Sequence, residues 1–216
     1  MTIAVLDYGI GNLRSAQKAL EKVGAEAVLT SAPAEIAGAA GVVLPGVGHF
    51  GRCMEALRAS GLEVPARRAV DAGTPFLGIC IGMQMLYEGS DEAPEAKGLG
   101  ILAGRARLLP DGVKRPQMQW NCLDHRPTPM LAGLDEPIWM YFVHSYAPEM
   151  SADVVATCDY GGPVVAAVVR DNLWATQFHP EKSGAAGLRL LANFVATCRA
   201  GDDRTGRDVS DRHQLA

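Results

Sequence analysis

From Thr2 to Glu88 the sequence alternates short apolar runs with segments of helical period. Residues 2–6, 27–29, 41–44 and 74–79 read as buried strands. Between and after them, residues 13–23, 33–40, 53–59, 65–72 and 81–88 read as helices. Asn12 is a candidate N-cap for the first helix and Gly24 its stop. Strands that alternate with helices in this way form a largely parallel sheet with helices on both faces. Beyond residue 100 the pattern changes. Residues 105–109, 138–143, 154–158, 164–170 and 173–178 read as strands separated by turns, which adds antiparallel strands to the sheet. Residues 185–199 read as a closing helix. The stretch 111–129 is loop-rich and reads as an interface insertion. The expected organisation is one domain over residues 1–200, followed by a polar, disordered tail over 201–216.

Composition narrows the function. A chain of 216 residues, 48% hydrophobic, can bury the core of one α/β domain. With a net charge of -4 it shows no basic face, which argues against nucleic acid as a partner. No run approaches a membrane span, and the chain starts straight into a strand, so a cytoplasmic protein is expected. The five cysteines are dispersed and form no CxxC pair, and the five histidines lack ligand spacing. Reduced thiols, no metal and no cofactor are the expectation.

Two segments carry chemistry. Gly78-Ile79-Cys80-Ile81-Gly82 joins the apolar strand at 74–79 to a helix, which is the form of a nucleophile elbow with sulfur as the nucleophile. A helix beginning beneath the sulfur favours thiolate, and the Ile81 N–H faces the developing oxyanion. The bland alternative is a buried core cysteine. Far downstream, Gln177-Phe178-His179-Pro180-Glu181 offers an imidazole and a carboxylate two residues apart. In extended chain these point to one side, so His179 and Glu181 can face Cys80 as base and orienting acid. His144 is the weaker candidate for the base. A third segment, Pro45-Gly46-Val47-Gly48-His49-Phe50-Gly51, follows the strand at 41–44. Alone it is an ordinary turn. Beside a cysteine elbow it reads as the second wall of an oxyanion hole, with Val47 and Gly48.

Together these segments, with Asp7 through Leu13 and Tyr141-Phe142-Val143-His144-Ser145-Tyr146, resemble a class I (triad) glutamine amidotransferase. The nearest branch is the glutaminase subunits of imidazole glycerol phosphate synthases, from histidine biosynthesis. The resemblance implies a flavodoxin-like three-layer sandwich with a mostly parallel central sheet and antiparallel additions. It implies L-glutamine hydrolysis through a γ-glutamyl thioester on Cys80, with His179 as general base and Glu181 holding it. By position, Gly46, Gln84, Glu92, His144, Ser145 and Tyr146 contact the substrate, and Gly48 and Ile81 frame the oxyanion hole. A separately encoded (β/α)₈-barrel cyclase would receive the ammonia, with Trp120, Tyr141 and Lys182 at the interface. One segment departs from the family pattern. Where Pro-His-Met-Gly-Trp-Asn is usual, this chain reads Pro116-Gln117-Met118-Gln119-Trp120-Asn121. The segment belongs to the partner-facing side, so the change bears on docking more than on glutaminase chemistry. The rival readings are the same glutaminase serving another synthase, a stand-alone cysteine hydrolase, and a non-catalytic binding module.

Overall fold

The computed structural model describes residues 1–212, with side chains through Gly201. In chain order the elements are β1 (Thr2–Leu6), α1 (Leu13–Lys22), β2 (Glu26–Thr30), α2 (Pro33–Ala37), β3 (Gly41–Gly46), α3 (Phe50–Ala59), α4 (Glu63–Asp71), β4 (Phe76–Cys80) and α5 (Ile81–Met85). There follow β5 (Gly89–Ser90), β6 (Ala93–Lys97), β7 (Arg105–Leu108), β8 (Gln117–Cys122), β9 (Asp124–His125), β10 (Trp139–His144), β11 (Tyr146–Pro148), β12 (Val154–Asp159), β13 (Pro163–Arg170), β14 (Leu173–Thr176) and α6 (Gly184–Arg212).

The central sheet has eight strands in the order β2-β1-β3-β4-β14-β13-β12-β9. From β2 to β14 every pairing is parallel, and from β14 to β9 every pairing is antiparallel. The parallel strands are buried on both faces, which is why Ile3 to Leu6 and Val42 to Leu44 are unbroken apolar runs. The chain moves from β1 to β2 in one direction and then crosses back to β3. Right-handed crossovers therefore place α1 on one face and α2, α3 and α4 on the other. Packing agrees, since α1 lies against α6 and α2 against α4. The expected three-layer α/β architecture with antiparallel additions is present. The C-terminal ends of β1 and β3 flank the point where the strand order reverses, the usual place for a site in such sheets.

Several boundaries differ from the sequence reading. The helix expected over 81–88 ends at Met85. The carbonyls of Met85, Leu86 and Tyr87 are taken by the N–H groups of Leu99, Leu102 and Gly100, so the loop at 98–102 replaces the next helical turn. The stretch 111–129 is not simply loop: it holds β8 and β9, and β8 pairs antiparallel with β10. A four-stranded sheet β11-β7-β5-β6 is also present, and of its members only β7 is legible in the sequence pattern, with β5, β6 and β11 unmarked there. Helix α6 runs to Arg212 rather than stopping at Arg199, because polar composition rules out a buried face and not a helix. Residues 213–216 of the expected tail lie outside the described residues. No helix among the described residues is long and apolar enough to cross a membrane.

Candidate active site

Cys80 ends β4 with φ 57° and ψ -113°, a conformation that L-residues avoid. Such a residue costs roughly 1–3 kcal/mol and persists only where the surroundings over-determine it. Here the surroundings are backbone. A Cβ on Gly82 would lie 1.9 Å from the Leu44 carbonyl oxygen, and one on Gly46 would lie 2.7 Å from the Gly82 nitrogen. The end of β3 thus presses on the start of α5, and the chain must turn sharply at Cys80 to enter the helix. Cys80 is 3% exposed. With only five residues, α5 contributes little of the dipole expected beneath the sulfur.

The glycine loop after β3 is held from inside. Tyr8 donates its hydroxyl to the Pro45 carbonyl at 2.7 Å, and Cys53 Sγ donates to the Val47 carbonyl at 3.3 Å. Burial pushes both donors' pKa up, that of Cys53 to about 11, so both keep their protons. A trans peptide sets its N–H opposite its C=O, so the Gly48 N–H points away from Cys53. Gly48 itself sits at φ +90°, open to glycine and strained for other residues.

The third part follows β14. His179 has extended backbone, and Pro180–Lys182 form a 3-10 turn rather than the extended segment assumed from the sequence. The turn still brings the pair together, with His179 Nδ1 and Glu181 Oε1 2.7 Å apart and both side chains almost fully buried. The Ser183 hydroxyl braces the turn, donating to the His179 carbonyl at 2.7 Å and accepting from the Tyr141 N–H at 3.0 Å. His179 Nε2 is buried without a partner at hydrogen-bond distance. Burial alone would lower the His179 pKa, but the Cys80 sulfur and the Glu181 carboxylate override it and raise the pKa to about 10. His144 is the reverse case. Burial lowers its pKa to about 4, opposed only by a 3.0 Å contact between Nδ1 and the Tyr146 carbonyl. A carbonyl only accepts, so Nδ1 carries the proton and Nε2 is a bare acceptor.

These parts meet in a cleft of about 460 Å³ at the C-terminal ends of the parallel strands. Cys80, His179, Val47, Gly48, Ile81, Gln84, Glu92, His144, Ser145 and Tyr146 line it together, and so does Lys182, which the sequence reading assigns to the partner interface. Glu181 stands behind His179, and Gly46 lies beneath the elbow against Gly82. Glu92 accepts from the Phe50 N–H at 2.7 Å, which ties it to the start of α3. Asn12, Pro116 and Val143 also line the cleft. They lie in the segments 7–13, 116–121 and 141–146 compared with the family pattern, where none of the three is given a substrate contact and Asn12 reads only as a helix cap. Tyr141 and Trp120 are not in the lining. They pack edge to face, with ring centroids 6.1 Å apart, on the β8–β10 ribbon. Gln117 is buried, with Nε2 3.6 Å from Cys158 Sγ. Gln119 sits exposed in β8 and is not among the residues with positive φ, so it carries no strain at the position where the family pattern has glycine. Among the described residues, no group of three or more His, Cys, Asp or Glu is placed to hold a metal ion. The five cysteines are free.

Known proteins share this pattern. The family described as glutamine amidotransferase class-I matches residues 4–198. An imidazole glycerol phosphate synthase subunit HisH from Syntrophotalea carbinolica is 50% identical over 202 residues, covering 89% of this chain and 98% of that protein. The protein of the same name from Deinococcus radiodurans is 48% identical over 197 residues, covering 89% and 92%. Among solved structures, a putative GMP synthase subunit from Thermoplasma acidophilum superposes with a TM-score of 0.71 at 20% identity, covering 95% of this chain and 98% of that one. PurLQS from Thermotoga maritima gives 0.69 at 21% identity, covering 90% and 97%. At those identities the structures speak for the fold alone, whereas the sequence match spans nearly every element that builds the cleft: the chain belongs to the class I glutamine amidotransferase family.

Proposed function

We propose that this chain is the glutaminase subunit of an imidazole glycerol phosphate synthase, acting in histidine biosynthesis. Its relatives of about half identity bear that name over most of their length. The observation that carries the chemistry is the 2.7 Å His179–Glu181 contact in the same cleft as a strained cysteine elbow. The Cys80 thiolate attacks the side-chain carbonyl carbon of L-glutamine. The oxyanion is met by the backbone N–H of Ile81 and by the Val47–Gly48 segment. His179, protonated because its pKa is raised, gives its proton to the leaving nitrogen, and ammonia departs. A γ-glutamyl thioester remains on Cys80. His179, now neutral, takes a proton from water as it attacks the thioester carbonyl; glutamate leaves and the resting pair is restored. Glu181 fixes the imidazole and steadies its charged form. Gln84, Glu92, Ser145 and Tyr146 grip the amino-acid end of glutamine, His144 lies beside them, and Gly46 lets the loop approach the elbow.

The ammonia passes to a (β/α)₈-barrel cyclase subunit. Cross-strand pairing in β8–β10 puts Met118, Trp120 and Tyr141 on one face of the ribbon, where Met118 and Trp120 are exposed. Val143, on the same face, reaches the cleft. An apolar face beside the cleft suits a permanent partner. Lys182, at the cleft, completes the interface, and the cytoplasm is where such a pathway operates.

Glutamate release from glutamine tests the reading, measured for the chain alone and with the barrel cyclase and its ribonucleotide ligand. Release stimulated only in the full mixture is the expected result. Equal release by the chain alone would favour a free-standing hydrolase and overturn the reading.

A further inference from the structure

Gln177 is fully buried, lies two residues before His179, and has no part in the steps above. Its amide reaches two groups. Oε1 accepts from Gln84 Nε2 at 3.0 Å, and Nε2 lies 3.8 Å from Cys80 Sγ. Side-chain amides present nitrogen or oxygen in either sense, so the polarity of such a chain must be argued from a fixed end. The fixed end is the Tyr146 carbonyl, which only accepts. Gln84 places an atom 2.8 Å from it, and that atom must be the NH₂ nitrogen. The same NH₂ meets Gln177, so Gln177 turns its oxygen to Gln84 and its N–H to the sulfur. The remaining atom, Gln84 Oε1, is buried and unpaired.

We infer that Gln177 is a positioning residue for the nucleophile: its N–H donates to the Cys80 sulfur, in a direction set by Gln84 and the Tyr146 carbonyl. A donor aimed at sulfur favours the anion that attacks, and a neutral amide supplies it without a second charge in the buried site. The relay also connects the substrate-gripping end of the cleft to the nucleophile. The inference rests on the reading of Cys80 as nucleophile, but not on glutamine being the substrate.

Alkylation of Cys80 by iodoacetamide, followed by mass spectrometry across a pH series, reads the relay without glutamine or a partner. Gln177→Met and Gln84→Met keep length and neutrality and remove the donors. Gln177→Met is expected to alkylate about tenfold more slowly at neutral pH, with its pH profile displaced upward, as loss of a hydrogen bond to a charged group requires. Gln84→Met does not touch the sulfur, and the relay predicts a fall of about threefold, because Gln177 loses the partner that orients it. A merely structural role would lower the unfolding temperature and leave the alkylation profile in place. Unchanged profiles in both folded variants would overturn the inference. Should Gln177→Met fail to fold, an unchanged profile in Gln84→Met alone would overturn it. Slowed alkylation in a protein that does not hydrolyse glutamine would uphold the relay and reject the glutaminase reading.

Discussion

The two halves of the cleft are fixed by different forces. At the elbow, backbone touches backbone: Gly82 lies on the Leu44 carbonyl and Gly46 on the Gly82 nitrogen, and Cys80 takes its strained φ because nothing else fits. Around His179 the geometry is held by hydrogen bonds that involve side chains, from the imidazole to Glu181 and from the Ser183 hydroxyl to the His179 carbonyl. Steric constraint admits no graded failure, since a methyl group either fits or displaces the strand. A hydrogen-bonded segment loses its parts one at a time. The elbow should therefore fail in stability and the histidine side in chemistry.

Glu181→Gln makes the sharpest division. The amide matches the carboxylate in size, so the fold should hold, while the charged imidazole loses its counterion. Turnover is expected to fall about 10³- to 10⁴-fold, while the denaturation midpoint at neutral pH falls only by the part of the His179 contribution that the carboxylate supplies. Steady-state glutamate release beside a urea titration checks both. Gly82→Ala should do the opposite. Its Cβ would stand 1.9 Å from the Leu44 oxygen, so β3 or α5 must move. A loss of about 4 kcal/mol in unfolding free energy is expected, at the upper end for a single substitution. A folded, inactive Gly82→Ala protein of wild-type stability would break the comparison.

The same contrast explains what the sequence disclosed. The elbow was legible because its cause is local: glycines flanking Cys80 within a strand-to-helix junction. The parallel strands were legible because burial on both faces leaves an apolar run. The elements missed depend on distant chain. Strand β8 reads Gln117-Met118-Gln119-Trp120-Asn121-Cys122, without a clean alternation, and is a strand because β10 pairs with it. Helix α5 is short because residues 99–102 take the carbonyls of Met85, Leu86 and Tyr87. Gln177 stands two residues before His179 in a motif legible in the sequence, yet its orientation follows from Gln84, 93 positions away. His179 and Glu181 were paired from their spacing, although a 3-10 turn rather than extended chain brings them together.

Two histidines on the hydrogen-bonded side sharpen the point through pH. The His179 pKa is raised to about 10 from an ordinary 6.5. Its contribution to stability is present in full below about pH 6.5 and is lost as pH rises toward 10. The His144 pKa is lowered to about 4. Its contribution is present above about pH 6.5 and is lost as pH falls toward 4, because the unfolded chain takes up a proton that the folded chain refuses. His179→Gln should flatten the alkaline limb of the stability profile, and His144→Gln the acid limb. Denaturant midpoints at half-unit pH intervals measure both. If each variant flattened the other's limb, the partner assignments of the two rings would be exchanged.

The smallest expected effect belongs to Ser183→Ala. The hydroxyl bridges the Tyr141 N–H and the His179 carbonyl, so its loss leaves the Tyr141 N–H without this partner, while the carbonyl keeps the Lys182 N–H at 3.0 Å. The cost should be about 1–2 kcal/mol of stability, the usual penalty for stranding such a group. Turnover should fall only a few-fold, because His179 keeps Glu181, and its own N–H keeps the Tyr141 carbonyl at 3.0 Å. Glutamate release with a parallel urea titration separates the outcomes. A loss of turnover as large as that of Glu181→Gln would mean that the aim of the imidazole resides in the backbone of the turn rather than in the carboxylate. The histidine side would then be as rigidly specified as the elbow, and the distinction between the two halves would disappear.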